Sequence, residues 1–401
     1  MLEPLVENYD HHPEVPLDFA VVREAVRRNH YRTPFLLLDP ELIRTNVHRF
    51  RAAMPSIALH YAIKANSHPR ILRLMLEEHV RFEVASLAEL EMLIALGVSA
   101  HEVHFNNPVK PREHVAWAAR AGVAWYVIDT VEELTKIVDV KCDAQLCVRI
   151  ETQNIGSDWP LTGKFGATFP EVEEILQRAC DLNAEIAGVA FHVGSQCRNL
   201  DNWRIGIDNA KRVFEMMRGQ DFQPRLLNIG GGFPVRHRKP IPSIEKIGAS
   251  VNGAIANLPE SIQLMAEPGR FLVSDCAWLI TRVIGTAVRR GTRWIYLDTG
   301  VYHGMMEALG GLEYEIRTDR HDAEIPCTVA GPTCDSTDVI VRDKLLPQDL
   351  REGDYVYIPN AGAYTTAYTT HFNGFPGPDT VLLQQIYAQD ARHTPLAAES
   401  A

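Results

Sequence analysis

From about residue 57 to residue 266 the chain repeats one phrase, and that repetition limits the fold more than any other feature. A short apolar run ends in polar or glycine residues, and a helical pattern follows. The runs are Ile57 to Ile63, Val80 to Val84, Glu102 to Phe105, Trp125 to Ile128, Ala144 to Ile150, Ile186 to Val193, Leu226 to Ile229 and Gln263 to Ala266. Between most of them lie helical segments such as Leu87 to Leu96 and Pro170 to Leu182. Alternating strand and helix implies parallel strands with right-handed crossovers. Eight such units over roughly 220 residues predict a closed (β/α)₈ barrel of TIM type, with a doubly wound open sheet as the alternative.

After about residue 275 the texture changes. Trp278 to Val288, Arg293 to Asp298, Ile325 to Ala330 and Tyr355 to Ile358 read as strands, with little helical periodicity between them. The expected layout is therefore an N-terminal segment (1–36) joining the β-rich part, a barrel (37–275), and a β-rich sandwich or barrel-like domain (276–401). The small, polar stretch Ala391 to Ala401 reads as a frayed end.

A chain of 401 residues has room for a large core in two domains. Its net charge of −11 argues against a nucleic-acid binder. No uninterrupted apolar window of about 18 residues exists, so no membrane span is expected. Met1-Leu2-Glu3-Pro4 lacks the basic and apolar regions of a signal peptide. The seven cysteines (Cys142, Cys147, Cys180, Cys197, Cys276, Cys327, Cys334) are odd in number and form no CxxC pair. They read as free thiols in a reducing cytoplasm, with no zinc site and no other metal.

A barrel places its chemistry at the C-terminal ends of its strands. There the sequence has Lys64, Glu83 (with Glu89 a turn later), Asn106 and Asn107, Asp129, Arg149, and His192 followed by Gly194-Ser195. Gly230-Gly231-Gly232 and Glu267-Pro268-Gly269-Arg270 complete the set. A lysine in dry surroundings loses its charge more readily, which frees an amine to form an imine with an aldehyde. Gly230-Gly231-Gly232-Phe233-Pro234 reads either as a tight turn or as a cradle whose N–H groups approach an anion. Beside Arg270 on the neighbouring strand, the phosphate reading gains weight. It is not a GxGxxG dinucleotide pattern. Glu267 reads as the partner of a pyridinium nitrogen or as half of a structural ion pair, and His192 as a stacking ring or as a core histidine. An imine-forming lysine, an acid for a ring nitrogen and a phosphate cradle fit one small molecule, pyridoxal 5′-phosphate.

These residues resemble the fold-type III pyridoxal-phosphate-dependent decarboxylases of basic amino acids. That family includes ornithine, lysine, diaminopimelate and carboxynorspermidine decarboxylases. The matching pieces are Tyr-Ala-Ile-Lys-Ala-Asn (61–66), Phe-Glu-Val-Ala-Ser-Leu-Ala-Glu (82–89), Lys-Phe-Gly-Ala (164–167) and Phe-His-Val-Gly-Ser (191–195). Gly-Gly-Gly-Phe-Pro (230–234), Glu-Pro-Gly-Arg (267–270), Gly-Pro-Thr-Cys-Asp-Ser (331–336), Gly-Ala-Tyr (362–364) and Phe-Asn-Gly-Phe (372–375) follow in the family's order. The resemblance implies an alanine racemase-like fold, with Lys64 as the Schiff-base lysine, His192 against the cofactor ring and Glu267 on its nitrogen. Ser195, Gly231, Gly232, Arg270 and Tyr364 would hold the phosphate, and Glu83 and Arg149 would lie near the cofactor. Glu83 stands where the family commonly has aspartate. Cys334 and Asp335 would enter the site from a second subunit of a homodimer, Cys334 to return a proton and Asp335 to face the substrate's distal amine. Without that resemblance Cys334 reads as an inert buried thiol. Tyr302 and Phe372 complete the expected substrate contacts.

The resemblance is nearest to the ornithine/lysine branch, and so implies decarboxylation of ornithine and/or lysine to a diamine and CO₂. Diaminopimelate, carboxynorspermidine or a modified basic amino acid are alternative substrates, and a silent regulatory homologue is the non-enzymatic alternative. One departure bears on substrate choice. Where ornithine decarboxylases place a second acid downstream of Gly-Val-Tyr (300–302), this chain has Gly311. Glu307 and Glu313 are the nearby acids that could replace it.

Overall fold

The computed structural model describes residues 17–161 and 163–391. The expectations for Met1-Leu2-Glu3-Pro4, the first part of the N-terminal segment and the tail beyond Ala391 fall outside them. The described chain divides into two compact units. One holds Arg44–Pro234 and Ile241–Leu272; the other holds 17–43, Val235–Pro240 and the chain from Val273 onward.

The first unit is the closed eight-stranded parallel barrel. Its strands are Ala58–Ala62, Arg81–Val84, Val103–Phe105, Trp125–Ile128, Gln145–Arg149, Glu185–Ala190, Leu226–Asn228 and Gln263–Ala266. Each pairs with the next, and the eighth returns to the first, Met265 beside Ala58 and Ala266 beside Leu59. Strands covered on both faces read as continuous apolar runs, which is why the repeat was visible. The helices sit where 3.6-residue periodicity put them. Phe169–Asp181 buries Val172, Ile175, Leu176 and Ala179, one stripe along its length. Thr168 closes its N-terminus in a capping box: the Thr168 N–H donates to Glu171 Oε2 at 2.7 Å. Such a cap contributes about 1 kcal/mol.

Four strand ends fall short of expectation, the fifth (Arg149) and the seventh (Asn228) by one residue each. The first strand stops at Ala62, and Lys64 lies in a single 3₁₀ turn, Ile63–Ala65. The sixth stops at Ala190 rather than Val193. The Phe191 N–H makes the last bond across, to the Asn228 carbonyl at 3.0 Å; His192 to Gly194 then leave the ladder in a turn that holds Gly194 at φ +89° and uses the His192 ring to bond it. Inside the barrel, His60 and His104 from alternate strands meet edge to face at 4.9 Å, and His104 stacks on Trp125 at 5.4 Å. Burial holds both imidazoles neutral, His60 down at about 3 and His104 well below its usual range.

The second unit is built on one mixed eight-stranded sheet. Its spine is Ala277–Arg289, which pairs antiparallel with Phe35–Leu38, Thr292–Leu297 and Tyr355–Ile358. Phe35–Leu38 also pairs in parallel with Asp379–Leu382. Helices Phe19–Asn29 and Leu383–Ala391 flank these strands, burying Val22, Val26 and Ile386 with Phe35, Leu37, Ile280 and Tyr357. Among the described residues no helix is long and apolar enough to cross a membrane.

Helix Asp201–Gly219 packs Gly206 on the Phe191 ring; a Cβ there would sit 2.3 Å from ring carbon Cε2. Gly206→Ala is therefore expected to lower stability by about 1–3 kcal/mol through overpacking. The better helix propensity of alanine, about 1 kcal/mol, offsets only part of this. Urea unfolding reads the difference directly; an unchanged midpoint would show that the helix shifts without cost.

Candidate active site

The C-terminal mouth of the barrel opens on a cavity of about 440 Å³, within the usual range for a small-molecule site. Lys64, Glu83, Asn106, Arg149, His192, Asn228 and Glu267 line it, all from separate strand ends. One wall is a small two-stranded antiparallel ribbon, in which Ser157–Trp159 pairs with Ser195–Cys197. Trp159, Pro160 and Leu161 bring its apolar side to the cavity. Ser157 Oγ donates to the Val193 carbonyl at 2.6 Å, tying the ribbon to the segment that carries His192.

The half-exposed Lys64 ammonium meets the buried Glu83 carboxylate at 2.6 Å. Glu83 Oε2 is enclosed and has no hydrogen-bond partner among the described residues. Glu89 lies behind the pair, its Oε2 accepting from the Ala85 N–H at 2.5 Å. Burial raises its pKa, and the Glu83 charge adds to the rise.

Glu267 is the most perturbed acid. Burial, then the neighbouring Glu83 charge, pushes its pKa up to about 7, against the counter-pull of Lys64. The Asn228 amide donates to its Oε1 at 2.5 Å, and the Asn106 amide donates to the same oxygen. Among the described residues no donor reaches Oε2. His192 is neutral, since burial and the Arg149 and Lys64 charges all disfavour its imidazolium. Its Nδ1 accepts the Gly194 N–H at 3.0 Å, which leaves the proton on Nε2.

The glycine run does more than leave space for an anion. A Cβ on Gly230 would lie 2.2 Å from the Phe191 carbonyl, and one on Gly232 2.3 Å from that of Gly194. Both have positive φ. At Gly231 a Cβ would crowd the Glu267 carbonyl at 2.7 Å and His192 Nε2 at 3.1 Å. Three strand ends therefore approach each other only because these side chains are missing. Arg270 is buried, and its Nη2 donates to Ser195 Oγ at 3.3 Å. Asp129 has a supporting part: its Oδ2 accepts the Gly166 N–H at 2.9 Å and so anchors the loop that carries Lys164 and Phe165.

In the second unit the other expected residues form their own group. The Tyr302 hydroxyl donates to Asp335 Oδ2 at 2.7 Å, and the Phe372 ring lies 4.8 Å from that of Tyr302. The Thr337 N–H, the Tyr302 hydroxyl and the Thr337 hydroxyl hold the Asp335 carboxyl below its usual pKa, so it stays ionised. Cys334 is exposed, which removes the reading of it as a buried thiol; its N–H donates to Asn373 Oδ1 at 3.0 Å. Tyr364 sits at φ 65° and stacks on Tyr368 at 5.3 Å. Gly311 ends the 3₁₀ turn Met306–Gly310, in which Glu307 is buried, while Glu313 pairs with Arg238 at 3.1 Å on the surface.

Sequence reasoning missed the pair of asparagine donors on Glu267, the two-stranded ribbon wall and Asp338. The buried Asp338 carboxylate accepts the N–H groups of Val301 (2.8 Å) and Thr333 (3.0 Å), stapling the Tyr302 loop to the Cys334 loop. Its signal was present in Gly300 and Gly331, where a Cβ would lie 2.1 and 2.3 Å from Asp338 Oδ1.

Residues 41–274 match the family described as pyridoxal-dependent decarboxylase, pyridoxal binding domain. A lysine/ornithine decarboxylase of Selenomonas ruminantium is 32% identical over 366 residues, covering 90% of this chain and 92% of its own. The arginine decarboxylase of Paramecium bursaria Chlorella virus superposes with a TM-score of 0.85 at 29% identity, over 90% of this chain and 99% of that one. A lysine/ornithine decarboxylase of Vibrio vulnificus, solved with cadaverine, gives 0.84 at 33% identity, over 91% and 98%. With the barrel, the lysine at its mouth and this match over more than half its length, the chain belongs to the pyridoxal-dependent decarboxylases, in the ornithine/lysine branch of that enzyme family.

Proposed function

We propose that the enzyme removes CO₂ from a basic L-amino acid, ornithine and/or lysine, with pyridoxal 5′-phosphate held at the barrel mouth. The observation that carries this reading is the cavity donor set. A lysine amine, a neutral imidazole and two carboxylates, each with an oxygen that no donor among the described residues reaches, surround a space of cofactor size. That set fits an aldehyde, a flat ring and a protonated ring nitrogen.

Lys64 would hold the aldehyde, with Glu83 at 2.6 Å to take and return a proton at Nζ. Glu267 would keep the proton on the ring nitrogen; its raised pKa matches it to a cationic partner that restores its charge. His192 would cover one face of the ring, and Arg149 would balance negative charge nearby. Ser195, Gly231, Gly232, Arg270 and Tyr364 would bind the phosphate. Once bound, the cofactor supplies an amine-binding aldehyde and a ring that takes up the electrons of the broken carboxyl bond. Asp335, with Tyr302 and Phe372, would receive the distal ammonium of the substrate, and Cys334 would return a proton to Cα.

The exposed Cys334–Asp335 loop supports a homodimer in which each copy lends this loop to the other's site. In this arrangement residues 37–275 bind the cofactor, 276–401 complete the dimer's sites, and 1–36 join the β-rich part. None of the seven cysteines is in a disulfide, which supports the cytoplasm as the compartment.

Lys64→Ala should abolish both the borohydride-reducible yellow absorbance and CO₂ release; near-normal turnover would refute the assignment. A screen of ornithine, lysine, arginine, diaminopimelate and carboxynorspermidine by CO₂ release should find ornithine or lysine active, and inertness of both would overturn the substrate choice. Equal mixing of Lys64→Ala and Cys334→Ala enzymes, followed by subunit exchange, should restore about a quarter of the sites if the sites are shared; no recovery after demonstrated exchange would argue against sharing. Glu267 also predicts a pH dependence. Its proton is held more tightly in the folded protein than at the ordinary 4.5, so its contribution to stability is fullest below about 4.5 and is lost as pH rises through about 7. Urea unfolding of the cofactor-free protein at pH 5 and 7.5 should show that Glu267→Gln removes this component; an unchanged difference would mean that Glu267 is ionised throughout.

A further inference from the structure

Lys110 is a fully buried ammonium that the reaction does not use. It closes the loop after the third barrel strand, Val103–Phe105, and only 1% of it is exposed. Its Nζ donates to the Asn107 carbonyl at 2.7 Å and the Val127 carbonyl at 2.7 Å, and pairs with buried Glu133 at 3.1 Å. All three of its protons thus have acceptors. Its own N–H donates to the same Glu133 oxygen at 3.1 Å, and the other Glu133 oxygen pairs with Lys136. Burial lowers the Lys110 pKa to about 8, against the pull of Glu133, so the group remains cationic at neutral pH.

An isolated buried charge is costly, and a neutral residue would fill this space at less expense. What the charge holds explains its presence. The Asn107 carbonyl belongs to the residue after Asn106, and Val127 is a cavity-lining residue of the fourth strand. Asn106 is fixed on its other side by its N–H to the Val84 carbonyl at 2.9 Å. Between these two anchors its side-chain amide points at Glu267 Oε1.

We propose that Lys110 is a positioning residue for the cofactor's ring nitrogen: by gripping the Asn107 and Val127 carbonyls it fixes the Asn106 amide on Glu267. The proposal rests on the reading of Glu267 as the ring-nitrogen partner. A donor on Oε1 favours the carboxylate. Without the grip, Asn106 swings off, Glu267 keeps its proton to higher pH, and its hold on a protonated ring weakens.

The test is pyridoxal 5′-phosphate titration of the full-length apoprotein, followed by absorbance from pH 6 to 9, with melting temperature measured alongside. Lys110→Met and Asn106→Ala should each weaken cofactor binding roughly tenfold, as expected for a lost hydrogen bond to a charged group, and move the pH midpoint upward. In the double variant the loss should stay within about twofold of Asn106→Ala alone, because both changes remove one interaction. Additive losses, or a Lys110→Met protein that melts lower with affinity and midpoint unchanged, would overturn the proposal. If Lys110→Met does not fold, Glu133→Gln carries the comparison, since it keeps volume and acceptor while loosening the ammonium. A shifted midpoint there supports the proposal, and a lower melting temperature alone overturns it. Glu267→Gln separates the two readings. Unchanged cofactor affinity in that variant withdraws the role of Glu267 and this proposal with it; a loss there beside an unaffected Lys110→Met overturns only the role of Lys110.

Discussion

Closure of the barrel, the pairing of the eighth strand to the first, is the constraint from which the site follows. It sets Met265 beside Ala58 and Ala266 beside Leu59, so the polar residues just past each strand end face a common space. Lys64 and Glu267 come from opposite ends of the barrel sequence and line the same cavity. An open sheet with the same strand order would leave those two strands at opposite edges. The buried charges then become interdependent. Glu83 raises the Glu267 pKa while Lys64 lowers it, and Lys64 itself is paired with Glu83. Removing Glu83 or Lys64 therefore changes the proton affinity of Glu267.

The barrel was legible because its strands are covered on both faces and its helices bury a single stripe. Tyr126-Val127-Ile128 and Phe82-Glu83-Val84 are buried throughout, so the apolar signal has no gaps except where chemistry interrupts it. The second unit was less legible. Its long spine, Ala277–Arg289, and the strands Thr292–Leu297, Glu324–Ala330 and Tyr355–Ile358 were visible in outline. Phe35–Leu38 and Asp379–Leu382 are four residues each and far apart in sequence, and their strand character depends on pairing with each other and with the spine. Val339–Pro347 alternates irregularly, since its pairing with Glu324–Ala330 shifts register twice. Helix Phe19–Asn29 has a clear cap, Asp18, whose Oδ1 accepts from two N–H groups, but its stripe gains meaning only against the sheet it covers.

In the site, residues that carry charge were readable and residues that orient them were not. Lys64, Glu83, His192 and Glu267 announce themselves by type at strand ends. Asn106 and Asn228 are ordinary polar residues until their amides are seen on one carboxylate oxygen. Asp338 is one acid among many in sequence, and only its burial against two backbone N–H groups shows that it shapes the Tyr302–Asp335 pair. Motifs give the identity of reacting groups; the supporting bonds are set by tertiary approach, which no spacing encodes.

The histidine pair within the barrel sets a counterweight to its mouth. His60 and His104 accept protons far less readily folded than unfolded, so their share of stability is present above pH 6.5 and drains away as acidity increases. Glu267 drains in the other direction, toward alkali. Across mildly acid solution one group's loss is partly the other's gain, and the β/α cylinder carries titrating ballast of opposite sign in its wall and at its rim.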